Sequence, residues 1–276
     1  MNKRYEVYLI SDSTGETLDR IFLALQAQFS DFEHTSHQYA FTRTENQIIK
    51  ILDICKKKEN PIILYTIVNT QLAKFLVERS KKKNIPCFGV LGDLILRFSK
   101  LLHQEASHIP SGQHVLDEDY YKRVEAIQFT MIHDDGKITK DIEKSDIVLL
   151  GISRTSKTPT SVYLANRGYK TCNIPIINQD SVPIKLIKNS RITCVVGLVA
   201  DPERLSEVRK NRMSFMDEKR ERGGSYTSIE KIKLEIEMSK KLFKKYNWPI
   251  IDVTRKSVEE TAASIIKIYD IVNSQK

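Results

Sequence analysis

Eight consecutive residues, Gly151-Ile152-Ser153-Arg154-Thr155-Ser156-Lys157-Thr158, have the types and spacing of a phosphate cradle. The run follows the form G-x-x-x-x-G-K-[ST], with Ser156 where the form has glycine. An apolar strand, 146 to 150, leads into it, and a helix through Arg167 leaves it. Such a loop turns backbone N–H groups inward around an anion, and the helix adds the positive end of its dipole. Lys157 would reach the outer phosphates of a nucleotide, Thr158 would ligate Mg²⁺, and Arg154 would add a second cation able to fork onto a phosphate. Lys157 and Arg154 are therefore the candidate catalytic residues. Gly151 to Thr158 form the candidate binding set, and Thr158 is the candidate metal ligand. The bland alternative is a polar turn between a strand and a helix, and the missing glycine lends it weight.

Three further groups can be read in two ways. Arg204, Arg209, Lys210, Arg212, Lys219, Arg220 and Arg222 end at Gly223-Gly224. They read as a basic segment that closes over phosphates or, more simply, as a solvated charged helix. Ser11-Asp12-Ser13-Thr14-Gly15-Glu16-Thr17 places hydroxyls between a strand and a helix, where they would bind an anion, contact a protein substrate or merely cap. Ser13-x-x-Glu16 has capping-box spacing, so capping accounts for those two residues, and the functional and capping readings stand even. Asp201 follows an apolar strand and would either approach Mg²⁺ or cap the next helix. His103, His108, His114 and His133 lack the spacing that puts two imidazoles on one helix face, so no zinc site is expected. His114, Asp117 and Asp119 would supply an acid or base, with surface turns as the simpler reading.

The elements that must position these residues alternate. Strand-like runs at 5–10, 61–68 and 86–90 are each followed by apolar residues at helical spacing. The stretch from 103 to 144 is polar, with helix expected only around 120 to 129. Alternation resumes with strands at 146–150, 172–177, 192–200 and 249–253. Helices open at Asp201-Pro202, span Ser228 to Tyr246, and begin after the capping-box pair Ser257 and Glu260. Near-continuous apolar strands separated by helices predict an α/β fold with two parallel-sheet domains, 1–105 and 145–276, joined by a connector at 106–144. The second domain is expected to be P-loop-kinase-like.

Charge and composition narrow the partners. The chain has 276 residues, net charge +9 and 29% charged residues, which suits folded domains rather than long disordered tails. Lysine runs at 56–58 and 81–83 sit at apparent helix ends, where they complement the dipole, so nucleic acid is not demanded. Cys55, Cys87, Cys172 and Cys194 form no C-x-x-C pair and read as free thiols. With no signal-peptide core at the N-terminus and no membrane-length apolar run, a cytoplasmic location is expected.

Four ordered segments together resemble bacterial pyruvate, phosphate dikinase regulatory proteins. They are SDSTGETLDRI, HVLDEDYYKRVEAIQFTMIHDDG, GISRTSKTPTSVYLANRGYKTCNIPI and PIIDVTRKSVEETA, and they cover essentially the whole chain. The sister branch that regulates phosphoenolpyruvate synthase typically reads R-C-G-K-T where this chain has Arg154-Thr155-Ser156-Lys157-Thr158, which favours the dikinase branch. The resemblance implies a bifunctional enzyme. It would phosphorylate a dikinase threonine with ADP as donor, and remove that phosphate with inorganic phosphate as acceptor, releasing pyrophosphate. It also implies a possible homodimer, while Mg²⁺ is expected from the loop motif itself. The residues alone leave three alternatives open: the same chemistry on phosphoenolpyruvate synthase, a small-metabolite P-loop kinase, and a non-catalytic nucleotide- or RNA-binding protein.

Overall fold

The computed structural model describes residues 3–112, 117–136, 141–178, 181–188, 194–215 and 226–274. The chain divides into two compact units, Met1–Val115 and Leu116–Lys276.

In the first unit, β1 (Tyr5–Ser11), β2 (His34–Tyr39), β3 (Pro61–Thr66) and β4 (Cys87–Gly89) form a parallel sheet in the order β2-β1-β3-β4. Between them run α1 (Glu16–Gln26), α2 (Glu45–Cys55) and α3 (Thr70–Lys82), and α4 (Gly92–Leu102) follows β4. The two faces of β1 explain the layers. Tyr8 and Ile10 pack with Ile48, Leu52 and Leu76 of α2 and α3, while Val7 and Leu9 pack with Leu18 and Phe22 of α1. Successive strand side chains point to opposite faces, so a strand buried on both sides is apolar throughout.

Three features depart from the expectations above. β2, with the sequence HTSHQY, is a polar edge strand with no fully buried residue, and α2 follows it, held by a Thr44–Gln47 capping box. The Ser13–Glu16 capping box does not form. α1 is capped by Gly15 at φ 87° with no side-chain cap bond, and the Ser13 hydroxyl instead meets that of Ser111 at 2.7 Å. α4 is amphipathic in sequence, yet none of its residues is buried.

The second unit begins with α5 (Glu118–Ile132), whose cap is Asp117, and a short 3₁₀ turn, Asp134–Gly136. Its sheet is again parallel: β5 (Ile147–Gly151), β6 (Thr171–Pro175), β7 (Cys194–Val199) and β8 (Ile250–Asp252), in the order β6-β5-β7-β8. α6 (Lys157–Ala165) follows β5, α7 (Ile184–Lys188) precedes β7, and α8 (Pro202–Phe215) follows it. α9 (Ile229–Lys245) and α10 (Val258–Ser274) flank β8. Every residue of β5 and β7 is buried. The Ser257–Glu260 capping box forms before α10. Among the described residues no cysteine is in a disulfide, and Cys55, Cys172 and Cys194 are buried. Among the described residues no helix is long and apolar enough to cross a membrane.

Candidate functional site

In the order β6-β5-β7-β8, the chain leaves β5 for β6 on one side and reaches β7 on the other. Ligands of open α/β sheets bind at such a switch point, outside the carboxyl ends of the strands. Gly151 ends β5 there, in register with Leu198 of β7. A Cβ on Gly151 would stand 2.6 Å from Thr155 Oγ1 and 2.7 Å from the Leu198 carbonyl oxygen, so no other residue fits without displacing backbone. The loop then turns through two left-handed residues, Arg154 at φ 75° and Ser156 at φ 57°. The second explains why the motif has glycine at that position. Ser156 meets the requirement with backbone strain of roughly 1–2 kcal/mol.

Lys157 opens α6 and folds its side chain back into the loop. It is 6% exposed, and its Nζ donates to the Ile152 carbonyl at 2.9 Å. Thr155 Oγ1 donates to the same carbonyl at 2.9 Å. Burial pushes the Lys157 ammonium down to about 8 from an ordinary 10.5; Asp135 and Asp134 oppose the fall, and Arg154 and Arg209 add to it. The lysine is thus a desolvated cation poised inside the loop, where an incoming phosphate would supply the missing negative charge. Arg154 is half-buried, and its Nε is buried with no hydrogen-bond partner among the described residues.

Thr158 is exposed at the loop mouth and donates to Asp134 Oδ1 at 3.1 Å. Asn173, buried on β6, joins them. Its amide nitrogen donates to Asp134 and reaches Thr158 Oγ1 at 3.4 Å, while its Oδ1 accepts from the Asp135 N–H at 3.0 Å. A backbone N–H can only donate, so this last bond fixes which way the amide points. The 3₁₀ turn after α5 is thereby clamped to β6 and α6, with a carboxylate beside the candidate metal ligand. The Asp134–Asp135–Gly136 turn lies in the polar stretch from 103 to 144, and no spacing rule connects it, or Asn173, to a loop many residues away.

The basic segment divides. Arg204 pairs with Glu207 at 2.9 Å on the surface, and Lys210 and Arg212 are exposed, as a solvated helix would have them. Arg209 differs, being 1% exposed. It stacks over Tyr226 at 4.5 Å, pairs with Glu235 at 2.7 Å and donates to the Ser153 carbonyl at 3.2 Å. Tyr226 OH meets Ser153 Oγ at 2.8 Å. Arg209 therefore braces the loop from behind. Lys219, Arg220, Arg222, Gly223 and Gly224 lie outside the described residues, as does His114.

Other candidates have structural partners. Asp201 caps α8, accepting from Glu203 N–H at 2.9 Å and Arg204 N–H at 3.1 Å. Asp117 caps α5, and Asp119 pairs with Lys122 on the surface. His133 is buried and stacked on Phe129 at 3.9 Å. Among the described residues no group of three or more His, Cys, Asp or Glu is arranged to hold a metal ion. One carboxylate and a hydroxyl at a phosphate loop nevertheless match Mg²⁺, which keeps waters and takes its remaining ligands from substrate phosphates.

Relatives match this chain along nearly its whole length. A relative from Pelagibacter ubique is 63% identical over 271 residues, covering 98% of each chain. One from Sphingopyxis alaskensis is 44% identical over 268 residues, covering 97% of each, and one from Rhizobium meliloti is 42% identical over 264 residues, covering 96% of each. All three bear the name pyruvate, phosphate dikinase regulatory protein. A family model described as kinase/pyrophosphorylase matches residues 7–266. With nearly its whole length matched, the chain belongs to the kinase/pyrophosphorylase family.

Proposed function

We infer that the Gly151–Thr158 loop holds the phosphates of ADP and that the chain regulates pyruvate, phosphate dikinase in both directions. In one, the β-phosphoryl group of ADP passes to a dikinase threonine, leaving AMP and an inactivated target. In the other, inorganic phosphate attacks the phosphothreonine and departs as pyrophosphate, restoring the hydroxyl. The observation that carries the reading is the buried Lys157 ammonium inside a loop at the switch point of a parallel sheet. The family description, which couples a kinase to a pyrophosphorylase, and the relatives' shared name support the rest.

Both directions need the charge of the moving phosphoryl group neutralised and the acceptor oxygen placed in line. Lys157, Arg154 and the loop amides meet the first need. Mg²⁺ fits the Thr158 hydroxyl and the Asp134 carboxylate, and would draw charge from the phosphate oxygens. Arg209 holds the Ser153 carbonyl, so the loop keeps its shape as ligands exchange. Asp135, exposed after α5, adds negative charge that opposes the fall in the Lys157 pKa.

The test is incubation with β-labelled ADP and purified dikinase, comparing wild type with Lys157→Ala. Label should appear on a dikinase threonine with wild type and almost none with the variant. Equal labelling would remove Lys157 from the mechanism. Label on phosphoenolpyruvate synthase instead would move the target to that protein. Turnover of a small acceptor without protein labelling would make the chain a metabolite kinase.

A further inference from the structure

The first unit repeats the arrangement that makes a site in the second. Its sheet order β2-β1-β3-β4 has a switch point between β1 and β3, and a cavity of about 430 Å³ opens at their carboxyl ends. The residues that matter in its lining are Ser11, Asp12, Ser13, Thr66, His108 and Ser111.

Capping does not account for this run. Gly15 caps α1 without a side-chain bond, so the N–H groups of Glu16, Thr17 and Leu18 have no side chain to satisfy them, and the helix dipole points the same way. A second observation comes from the buried side chains. Thr66 is 6% exposed and lines the cavity, yet its hydroxyl has no hydrogen-bond partner among the described residues. Asp12 is 3% exposed, and one carboxylate oxygen accepts from the Val68 N–H at 2.7 Å. Its other oxygen has no partner among the described residues. His108 donates from Nδ1 to the Val68 carbonyl at 2.8 Å, which fixes the ring at the cavity wall. The Thr66 hydroxyl and the second Asp12 oxygen thus belong to side chains held almost wholly inside the protein, yet they meet the cavity and no protein partner among the described residues, which leaves them to a ligand.

Amide and hydroxyl donors favour an anion, whereas the Asp12 carboxylate repels one unless it brings a proton to share. Phosphate near neutral pH still carries a proton; sulfate does not. We propose that this cavity is a second, separate anion site that binds a protonated phosphate group, either inorganic phosphate or the monoanionic end of a phosphomonoester. Its donors are the α1 amides and Thr66, and its acceptor is Asp12. The site shares no residue with the Gly151 loop and stands whether or not that loop is the site of phosphoryl transfer.

Hydrogen–deuterium exchange of the full chain reads the two regions in separate peptides. Inorganic phosphate is expected to slow exchange in peptides covering 11–18, and sulfate at equal ionic strength to leave them unchanged. Thr66→Val should weaken that protection about tenfold, the loss of one hydrogen bond to a charged ligand. Its melting temperature should not fall, because the hydroxyl it removes bonds nothing in the protein. Asp12→Asn, which keeps an acceptor for Val68 and gains a donor, should let sulfate protect as well. O-phospho-L-threonine protecting at lower concentration than inorganic phosphate would identify an ester as the ligand; the reverse would identify the free ion. No protection by either phosphate, equal protection by sulfate in wild type, or an unchanged midpoint in Thr66→Val would each overturn the proposal.

Discussion

Replacing Lys157 with methionine should make the nucleotide-free protein more stable while abolishing transfer. The ammonium is 6% exposed, and burial lowers its pKa from 10.5 to about 8. At about 1.4 kcal/mol per pH unit, keeping it charged at pH 7 opposes folding by roughly 3 kcal/mol. Methionine has a similar length and no charge, but it forfeits the bond to Ile152, worth about 1 kcal/mol. The Ile152 carbonyl is not orphaned, because Thr155 Oγ1 also donates to it at 2.9 Å. A net gain of about 2 kcal/mol remains, or roughly 4–8 °C in melting temperature for a domain of this size. Its pH dependence is the sharper mark. Between pH 8 and 10.5 the unfolded lysine holds more protons than the folded one, so wild type gains stability as pH rises through that window. The variant lacks this contribution, and its advantage should shrink between pH 7 and 9.5. Calorimetry of both proteins at the two pH values measures this directly. A variant less stable than wild type at pH 7, with a gap that ignores pH, would refute the picture of a desolvated, waiting cation.

Two further outcomes follow from the same geometry. Gly151→Ala places a methyl group 2.7 Å from the Leu198 carbonyl oxygen, which belongs to a buried strand and cannot yield cheaply, so urea denaturation should show a loss of roughly 1–3 kcal/mol together with lost ADP binding. Asp134→Asn preserves shape and an acceptor for Thr158 but removes the charge, so folding stability should change by less than about 1 kcal/mol while the Mg²⁺ concentration for half-maximal labelling rises roughly 10- to 100-fold.

Much of this arrangement was legible in the residues. The apolar runs of β1, β3, β5 and β7 announced parallel strands because both faces of each are covered, so no polar residue interrupts them. β2 escaped for the complementary reason. As an edge strand its pattern HTSHQY has no fully buried residue, and without α2 beside it the layer on that face went unread. The Ser13–Glu16 and Ser257–Glu260 pairs have the same spacing, yet only the second forms a capping box, because α1 starts at Glu16 behind a Gly15 cap, which leaves Ser13 two residues short of the cap position. Spacing states what a local bond can do; where the helix starts decides whether it is made.

The Gly151–Thr158 loop belongs to the local part. Gly151, Lys157 and Thr158 lie in one short run of sequence, and their geometry follows from one strand–loop–helix turn. Tertiary structure decided what surrounds that unit. Asp134 reaches Thr158 because α5 packs against α6 and β6, Asn173 arrives on a neighbouring strand, and Arg209 crosses behind the loop from α8. Each lies at least fifteen residues from the atom it touches, so its role depends on sheet order and helix packing, which no short window of sequence contains.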